Sequence, residues 1–155
     1  MRLPGFQKRR WRLLGYQEVL LRLLASVILG GLIGLERELR HRGAGFRTHT
    51  LVSIGSALIM LTSLYVFDIY KDVASVDPTR IASGVITGIG FLCAGAIMRY
   101  GGSVRGLTTA ACLWVTAAVG LACGCGFYYA AIVSTIIILI VLQVFRKFEK
   151  HLGKE

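Results

Sequence analysis

"GLERELRHRGAGFRTHTL", residues 34–51, concentrates charge between two stretches that are almost wholly apolar. The charged residues are two glutamates and four arginines: Glu36, Glu38, Arg37, Arg40, Arg42 and Arg47. Charge gathered in a short connection, with apolar sequence on both sides, is typical of a loop between two membrane-spanning helices. The stretch therefore predicts a helical hairpin in a membrane.

The rest of the chain has the same pattern. Its 155 residues are 55% hydrophobic and 17% charged, whereas a soluble domain is about a quarter charged. Five apolar segments have 17 to 20 residues each, enough for a helix to cross a hydrocarbon core about 30 Å thick. They are residues 19–35, 48–67, 81–98, 107–123 and 128–145. We predict an all-α fold, a polytopic transmembrane bundle of about five helices that forms one domain over residues 19–145.

The two ends of the chain are basic. Residues 1–18 can form an amphipathic helix on anionic headgroups or a disordered basic tail, and no cleavage site indicates their removal as a signal peptide. Residues 146–155 form a short basic tail. Arg22 weakens the first apolar segment, because it must snorkel or face protein.

The basic residues predict the orientation. With five spans, one side of the membrane receives ten of them: Arg37, Arg40, Arg42, Arg47, Arg99, Arg105, Arg146, Lys147, Lys150 and Lys154. The other side receives Lys71 and Arg80, if the N-terminal segment is set aside. The positive-inside rule then places the 36–47 connection and the C-terminus in the cytoplasm. Four spans, with the first segment only dipping into the bilayer, would remove the conflict with the basic N-terminus; five spans are favoured.

Small residues recur at every fourth position in three of the segments. Such stripes let helix backbones approach closely, where apolar side chains gain nothing by leaving lipid. We predict helix contacts at Gly30, Gly34, Gly84, Gly88, Gly95, Cys112, Thr116 and Gly120.

A second charged connection, "RYGGSVRGLTTAACLW" (residues 99–114), belongs to the same side as the first. Its glycines permit a tight turn, and Thr108 or Thr109 can cap the fourth helix, as Thr48 can cap the second. The candidate functional cluster at this face is Glu36, Arg37, Arg40, Arg47, Thr48, Arg105, Thr108 and Thr109.

Glu36 is the acid that most needs a partner, because it lies close to the membrane boundary. We predict that it reaches Arg47, Arg105 or the amides that open the fourth helix, and that Glu38 faces water. The alternative is a set of local pairs on one helix, Glu36 with Arg40 and Glu38 with Arg42, each contributing about 0.2–0.5 kcal/mol.

Three stretches resemble the MgtC/SapB family of bacterial membrane proteins: "GGLIGLERELRHRGAGFRTHTLVSIGSAL", "RIASGVITGIGFLCAGAIM" and "VRGLTTAACLWVTAAVGLACG". The resemblance implies an inner-membrane protein of about five helices, associated with growth in low magnesium and survival inside host cells. Some members carry a soluble C-terminal domain, and we expect none here. The resemblance also implies contact with another membrane protein such as ATP synthase. A second copy of this chain is the other partner that we expect.

Other classes of function find little support in the residues. Basic loops that set the orientation of a membrane protein account for the net charge of +10, so we predict no nucleic-acid partner. No nucleophile and base are paired, and the cysteines and histidines lack metal-ligand spacing, so we predict no enzyme, no metal site and no cofactor. We expect a regulator that acts through helix contacts within the lipid bilayer; the alternative is a direct magnesium transporter, for which the usual buried carboxylates are missing.

Overall fold

The computed structural model describes residues 15–151, and they form a bundle of five helices. The helices are α1 (Tyr16–Leu39), α2 (Phe46–Tyr70), α3 (Thr79–Ala96), α4 (Leu107–Cys125) and α5 (Tyr128–His151). All five are long and apolar enough to cross a membrane, which confirms the predicted fold class. Most of the predicted basic segment 1–18 lies outside the described residues, and α1 includes its last three residues. Helix α5 continues into the predicted tail 146–155, of which residues 152–155 are not described.

The connection between α3 and α4 forms a β-hairpin that the sequence did not predict. Strand β1 (Met98–Tyr100) pairs antiparallel with β2 (Ser103–Arg105), so α3 ends at Ala96 and not at residue 98. The predicted tight turn is present, because Gly101 and Gly102 adopt positive φ values of 54° and 129°. Gly106, at φ 90°, precedes α4 without a side-chain cap, so the predicted threonine cap is wrong.

Helix α4 is the centre of the bundle. It contacts each of the other four helices, and more than half of its apolar span is buried. Helix α2 packs between α1 and α4, while α3 and α5 lie further out and expose most of their surface. The core is therefore a three-helix unit of α1, α2 and α4.

Glycines on α1 and α4 let α2 approach both neighbours closely. A Cβ built on Gly30 would lie 2.9 Å from Oγ of Ser53, and one on Gly34 would lie 2.8 Å from Cα of Phe46. In α4, a Cβ on Gly120 would overlap the carbonyl group of the same residue, Ser53. The predicted packing positions Gly30, Gly34 and Gly120 are thus helix contacts.

Two further predicted packing positions, Cys112 and Thr116, are also buried in the helix contacts of α4.

The glycines of α3 behave differently from the prediction. Gly84, Gly88 and Gly95 are exposed, and a Cβ built on any of them meets no atom within 4 Å. Helix α3 packs through the opposite face, with Val85 and Ile89 buried against α4 and α2. Because larger apolar side chains fill that contact, the predicted packing role of the α3 glycines is wrong within this chain.

Arg22 connects the N-terminal part of α1 to the C-terminal end of α4, at the end of the bundle away from the charged connections. Its Nε is 2.8 Å from Oε1 of Glu18, and its Nη1 donates to the carbonyl oxygen of Gly124 at the end of α4, at 2.8 Å. Only 12% of the Arg22 side chain is exposed. Of the two predicted alternatives for Arg22, facing protein and snorkelling, the structure shows the contact with protein.

Candidate functional site

The most charged part of the helix interface lies at the C-terminal end of α1. Glu36 and Arg37 are 8% and 3% exposed, although both carry a charge. Oε2 of Glu36 is 2.5 Å from Nη2 of Arg37 and accepts a hydrogen bond from its Nε at 2.6 Å. Oε1 lies 3.6 Å from Nε of Arg40. The two groups form an ion pair, but this distance is too long for a good hydrogen bond.

This arrangement differs from the predicted connection of Glu36 to another helix. Arg47 is exposed at the start of α2, and Arg105 is exposed at the end of β2. Glu36 instead pairs with Arg37 of its own helix and with Arg40, which directly follows that helix. The residue that reaches across is Arg37, whose guanidinium lies beside the thiol of Cys112 in α4. Arg37 is therefore the charged residue of this group that lies at the contact between α1 and α4.

The other predicted cluster residues are not brought together. Thr48 and Thr108 are exposed on the first turns of α2 and α4, and Thr109 is buried within α4. None of the three supplies a side-chain cap to its helix, because Gly45 and Gly106 precede those helices.

Glu38, predicted to face water, caps α2. It is exposed, yet its Oε2 accepts a hydrogen bond from the backbone N–H of Phe46 at 3.0 Å. A carboxylate at a helix N-terminus satisfies a free amide and interacts favourably with the helix dipole. Gly45 leaves the space for it, since a Cβ at that position would collide with the Glu38 carboxylate. Both acids of the opening stretch thus hold helix ends in place.

His49 is the functional candidate that the sequence reasoning missed. It is fully buried in α2, and its Nδ1 lies 2.9 Å from Oγ1 of Thr116 in α4. The Thr116 hydroxyl donates its proton to the carbonyl oxygen of Cys112 at 2.7 Å, so toward His49 it acts as an acceptor. We therefore assign the proton of the neutral ring to Nδ1, which leaves Nε2 as a buried acceptor with no hydrogen bond.

A stripe of polar residues on α2 is the sequence pattern that could have identified His49. His49, Ser53 and Ser56 follow one another at spacings of four and three, and all three are buried. The hydroxyl of Ser53, like Oε1 of Glu36, is a buried polar atom that makes no hydrogen bond. Such atoms are costly in an apolar interior and are found where function requires them or where water enters.

The interface can hold a charge, exchange a proton or accommodate a small polar molecule. Two cations, Arg37 and Arg40, surround one anion, Glu36, so these three side chains together carry one positive charge. Among residues 15–151, no three His, Cys, Asp or Glu side chains lie close enough together to hold a metal ion.

These features define a class of protein. Five apolar helices around a buried polar interface form a multi-pass α-helical membrane protein. The sequence model of the MgtC family matches residues 23–151, which is most of the chain. The chain belongs to the MgtC family.

Curated relatives have similar sequences. The putative magnesium transporter YhiD of Escherichia coli (strain K12) is 46% identical over 132 residues, covering 84% of this chain and 61% of that protein. Protein MgtC of Brucella abortus (strain 2308) is 47% identical over 126 residues, covering 80% and 50%. Protein MgtC of Salmonella typhimurium (strain LT2) is 44% identical over 135 residues, covering 87% and 55%. The chain thus spans between half and about three fifths of these relatives, and no solved structure matches it.

Proposed function

We propose that this protein takes part in magnesium homeostasis by regulating another membrane protein, which it contacts through helix α3 within the bilayer. The observation that carries the proposal is the exposed face of α3. Gly84, Gly88, Phe91 and Gly95 share this face, which lies opposite the packed Val85 and Ile89.

The composition of that face supports a helix contact more than a lipid contact. Each glycine inside a helix costs about 0.8–1.0 kcal/mol relative to alanine, and these three recover nothing by packing within the chain. Phe91, which is 84% exposed, stands among them as a protruding ring. A bulky side chain flanked by glycines suits close docking of an apolar helix, because glycine lets the partner's backbone approach.

The link to magnesium comes from the relatives. One is named a putative magnesium transporter, and two carry the family's own name. We extend the magnesium role to this chain, and we place it in the bacterial inner membrane, with the 36–47 connection and the C-terminus in the cytoplasm, on the strength of the ten basic residues at that face.

Direct transport of magnesium is the second candidate. The name of the YhiD relative favours it, and the oxygens of Glu36 and Ser53 that make no hydrogen bond are ligands of the type that magnesium takes. Against it stands the chemistry of the site, because Arg37 and Arg40 surround the only carboxylate of that cluster and repel a divalent cation.

The two candidates differ in what the purified protein does alone. We expect liposomes that contain only this protein to show no magnesium uptake above protein-free liposomes. Saturable uptake that disappears in Glu36→Gln, with Glu38→Gln as the matched control, would establish the transporter instead.

The regulatory contact can be mapped in native membranes. A photocrosslinking residue at position 87, beside the glycine face, should capture one membrane protein of defined mass. Gly88→Leu should abolish that product, because the added side chain holds the partner away. Ile86→Phe, which enlarges an exposed residue of α3 on the side of the helix away from the glycine face, should preserve it. Capture of a second copy of this chain, or equal capture by both variants, would contradict the proposed contact.

A further inference from the structure

An open groove lies between α1 and α5 at the end of the bundle that carries the charged connections. Its volume is about 380 Å³. The walls are mainly leucines, with Leu32 and Leu35 from α1 and Leu139 from α5. Glu36, Arg40 and Gln143 form its polar part, so one groove combines an apolar wall with a small charged site.

The position of the groove matches the boundary between acyl chains and headgroups. Gln143 lies near the end of the apolar span of α5, and Arg146 follows directly after that span. Residues 32–40, at the C-terminal end of α1 and just beyond it, cover about two helical turns. The sequence changes from apolar to charged along them. A phospholipid beside these helices would have its chains at the leucines and its phosphate near Arg40.

The charges of the groove are not balanced. Glu36 is held by Arg37 through short contacts, whereas Arg40 lies 3.6 Å away, and 42% of its side chain is exposed. Glu36, Arg37 and Arg40 together therefore present one positive charge, on the Arg40 side chain, which faces the groove and the solvent. A single negative charge at this position would neutralise the cluster.

A second feature is Oε1 of Glu36, which lies at ion-pair distance from Arg40 but accepts no hydrogen bond. The residue is more than nine-tenths buried, lines the groove, and has no hydrogen-bond donor for Oε1. A headgroup with hydroxyl donors would satisfy this oxygen as Arg40 turns toward the phosphate. The amide of Gln143, on the facing helix, can also donate to an oxygen of the headgroup.

We propose that the groove is a binding site for an anionic phospholipid with a hydroxylated headgroup, of the phosphatidylglycerol type. One acyl chain lies along Leu32, Leu35 and Leu139, the phosphodiester pairs with Arg40, and a headgroup hydroxyl donates to Oε1 of Glu36. Basic pockets between membrane helices at the cytoplasmic side bind anionic headgroups by this chemistry. The site is separate from the α3 face and does not depend on the proposed regulatory contact.

The test uses the full chain, purified in a neutral detergent and incubated with equal amounts of phosphatidylglycerol and phosphatidylcholine. Mass spectrometry of the intact protein counts the lipids that remain bound. We expect the unaltered protein to retain phosphatidylglycerol preferentially. Arg40→Gln should reduce that preference about tenfold, the effect of one lost charge-assisted contact.

Two further variants distinguish lipid binding in the groove from a general attraction of anionic lipid to the basic surface. Leu139→Trp fills the groove and should remove bound phosphatidylglycerol while Arg40 is intact. Arg42→Gln removes an exposed arginine of the same connection that does not line the groove, and it should bind as the unaltered protein does. Thermal unfolding without added lipid verifies that each variant is folded.

Three results would overturn the site. Equal loss in Arg40→Gln and Arg42→Gln would show attraction to the basic surface alone. Undiminished binding in both Arg40→Gln and Leu139→Trp would place the lipid elsewhere. Disulfide formation between two copies with cysteine at position 139, in membranes rich in phosphatidylglycerol, would make the groove a protein interface.

Discussion

The imidazole of His49 and the hydroxyl of Thr116 are hydrogen-bonded between α2 and α4, with Nδ1 and Oγ1 2.9 Å apart. Both residues are fully buried, and the same hydroxyl is bonded to the Cys112 carbonyl. The pair fixes the rotation of α2 relative to α4 at the level of the charged cluster. Because it lies in the bundle interior, its loss should affect the stability of the whole core.

Thr116→Val tests this relationship. Valine has nearly the shape of threonine but cannot accept the proton of His49, so a buried donor is left unpaired at a cost of about 1–3 kcal/mol. We expect a lower thermal midpoint for unfolding in detergent, and Thr116→Ser should restore most of it. Thr135→Val is the matched control, because the buried Thr135 bonds only to Ala131 of its own helix. Equal losses at positions 116 and 135 would contradict an interhelical role.

Glycine replacements should separate the packed stripe from the exposed one. Gly120→Ala adds a methyl group where Cβ of Ser56 would be 2.9 Å away and the Ser53 carbonyl still closer. We expect a destabilisation of about 1–3 kcal/mol, measured by thermal unfolding in detergent. Gly88→Ala has free space and should be neutral or stabilising by up to about 1 kcal/mol. The packing of α2 against α4 would be refuted if both variants were equally stable.

The two acids of the 36–47 connection should differ in the size of their effect. Glu36→Gln leaves the buried Arg37 without its anion, and breaking such a pair costs about 3–5 kcal/mol when fully buried and less here. Glu38→Gln keeps an oxygen that can accept from Phe46 and should cost about 1 kcal/mol or less. Unfolding of both variants in detergent gives the comparison.

A double-mutant cycle extends the test. Arg37→Gln should resemble Glu36→Gln, and the double variant should lose less than the two single losses combined. Arg47→Gln and Arg105→Gln, which remove exposed charges, should change stability little. A large loss in Arg105→Gln would support the connection predicted from the sequence.

The orientation can be measured with a cysteine that the chain already has. Cys125 is the exposed last residue of α4, at the end of the bundle opposite the charged connections. If the basic face is cytoplasmic, an impermeant thiol reagent should label Cys125 in intact cells and should not label Cys125→Ser. In that background, a cysteine at Lys71 should react and one at Arg42 should not. Labelling at Arg42 but not at Lys71 would reverse the orientation.

The sequence predicted the elements of this protein well. Five apolar segments, each as long as a bilayer is thick, determined five helices, and the glycine spacing on α1 and α4 identified Gly30, Gly34 and Gly120 as contacts. For Arg22 the sequence left two alternatives, snorkelling or facing protein, because a cation at that depth has few others. These inferences rest on local sequence and on the cost of polar groups in lipid.

The tertiary structure decided which faces meet. In water, an apolar stripe marks the buried side of a helix, but in a bilayer the lipid-facing and protein-facing sides are both apolar. The glycines of α3 therefore could not be distinguished from those of α4, and the polar stripe that begins at His49 was overlooked. Likewise, sequence spacing placed Glu36 near several arginines without selecting one. Only the packing of α1 against α4 selected Arg37, because burial removes water from that side chain and leaves the adjacent carboxylate to balance its charge.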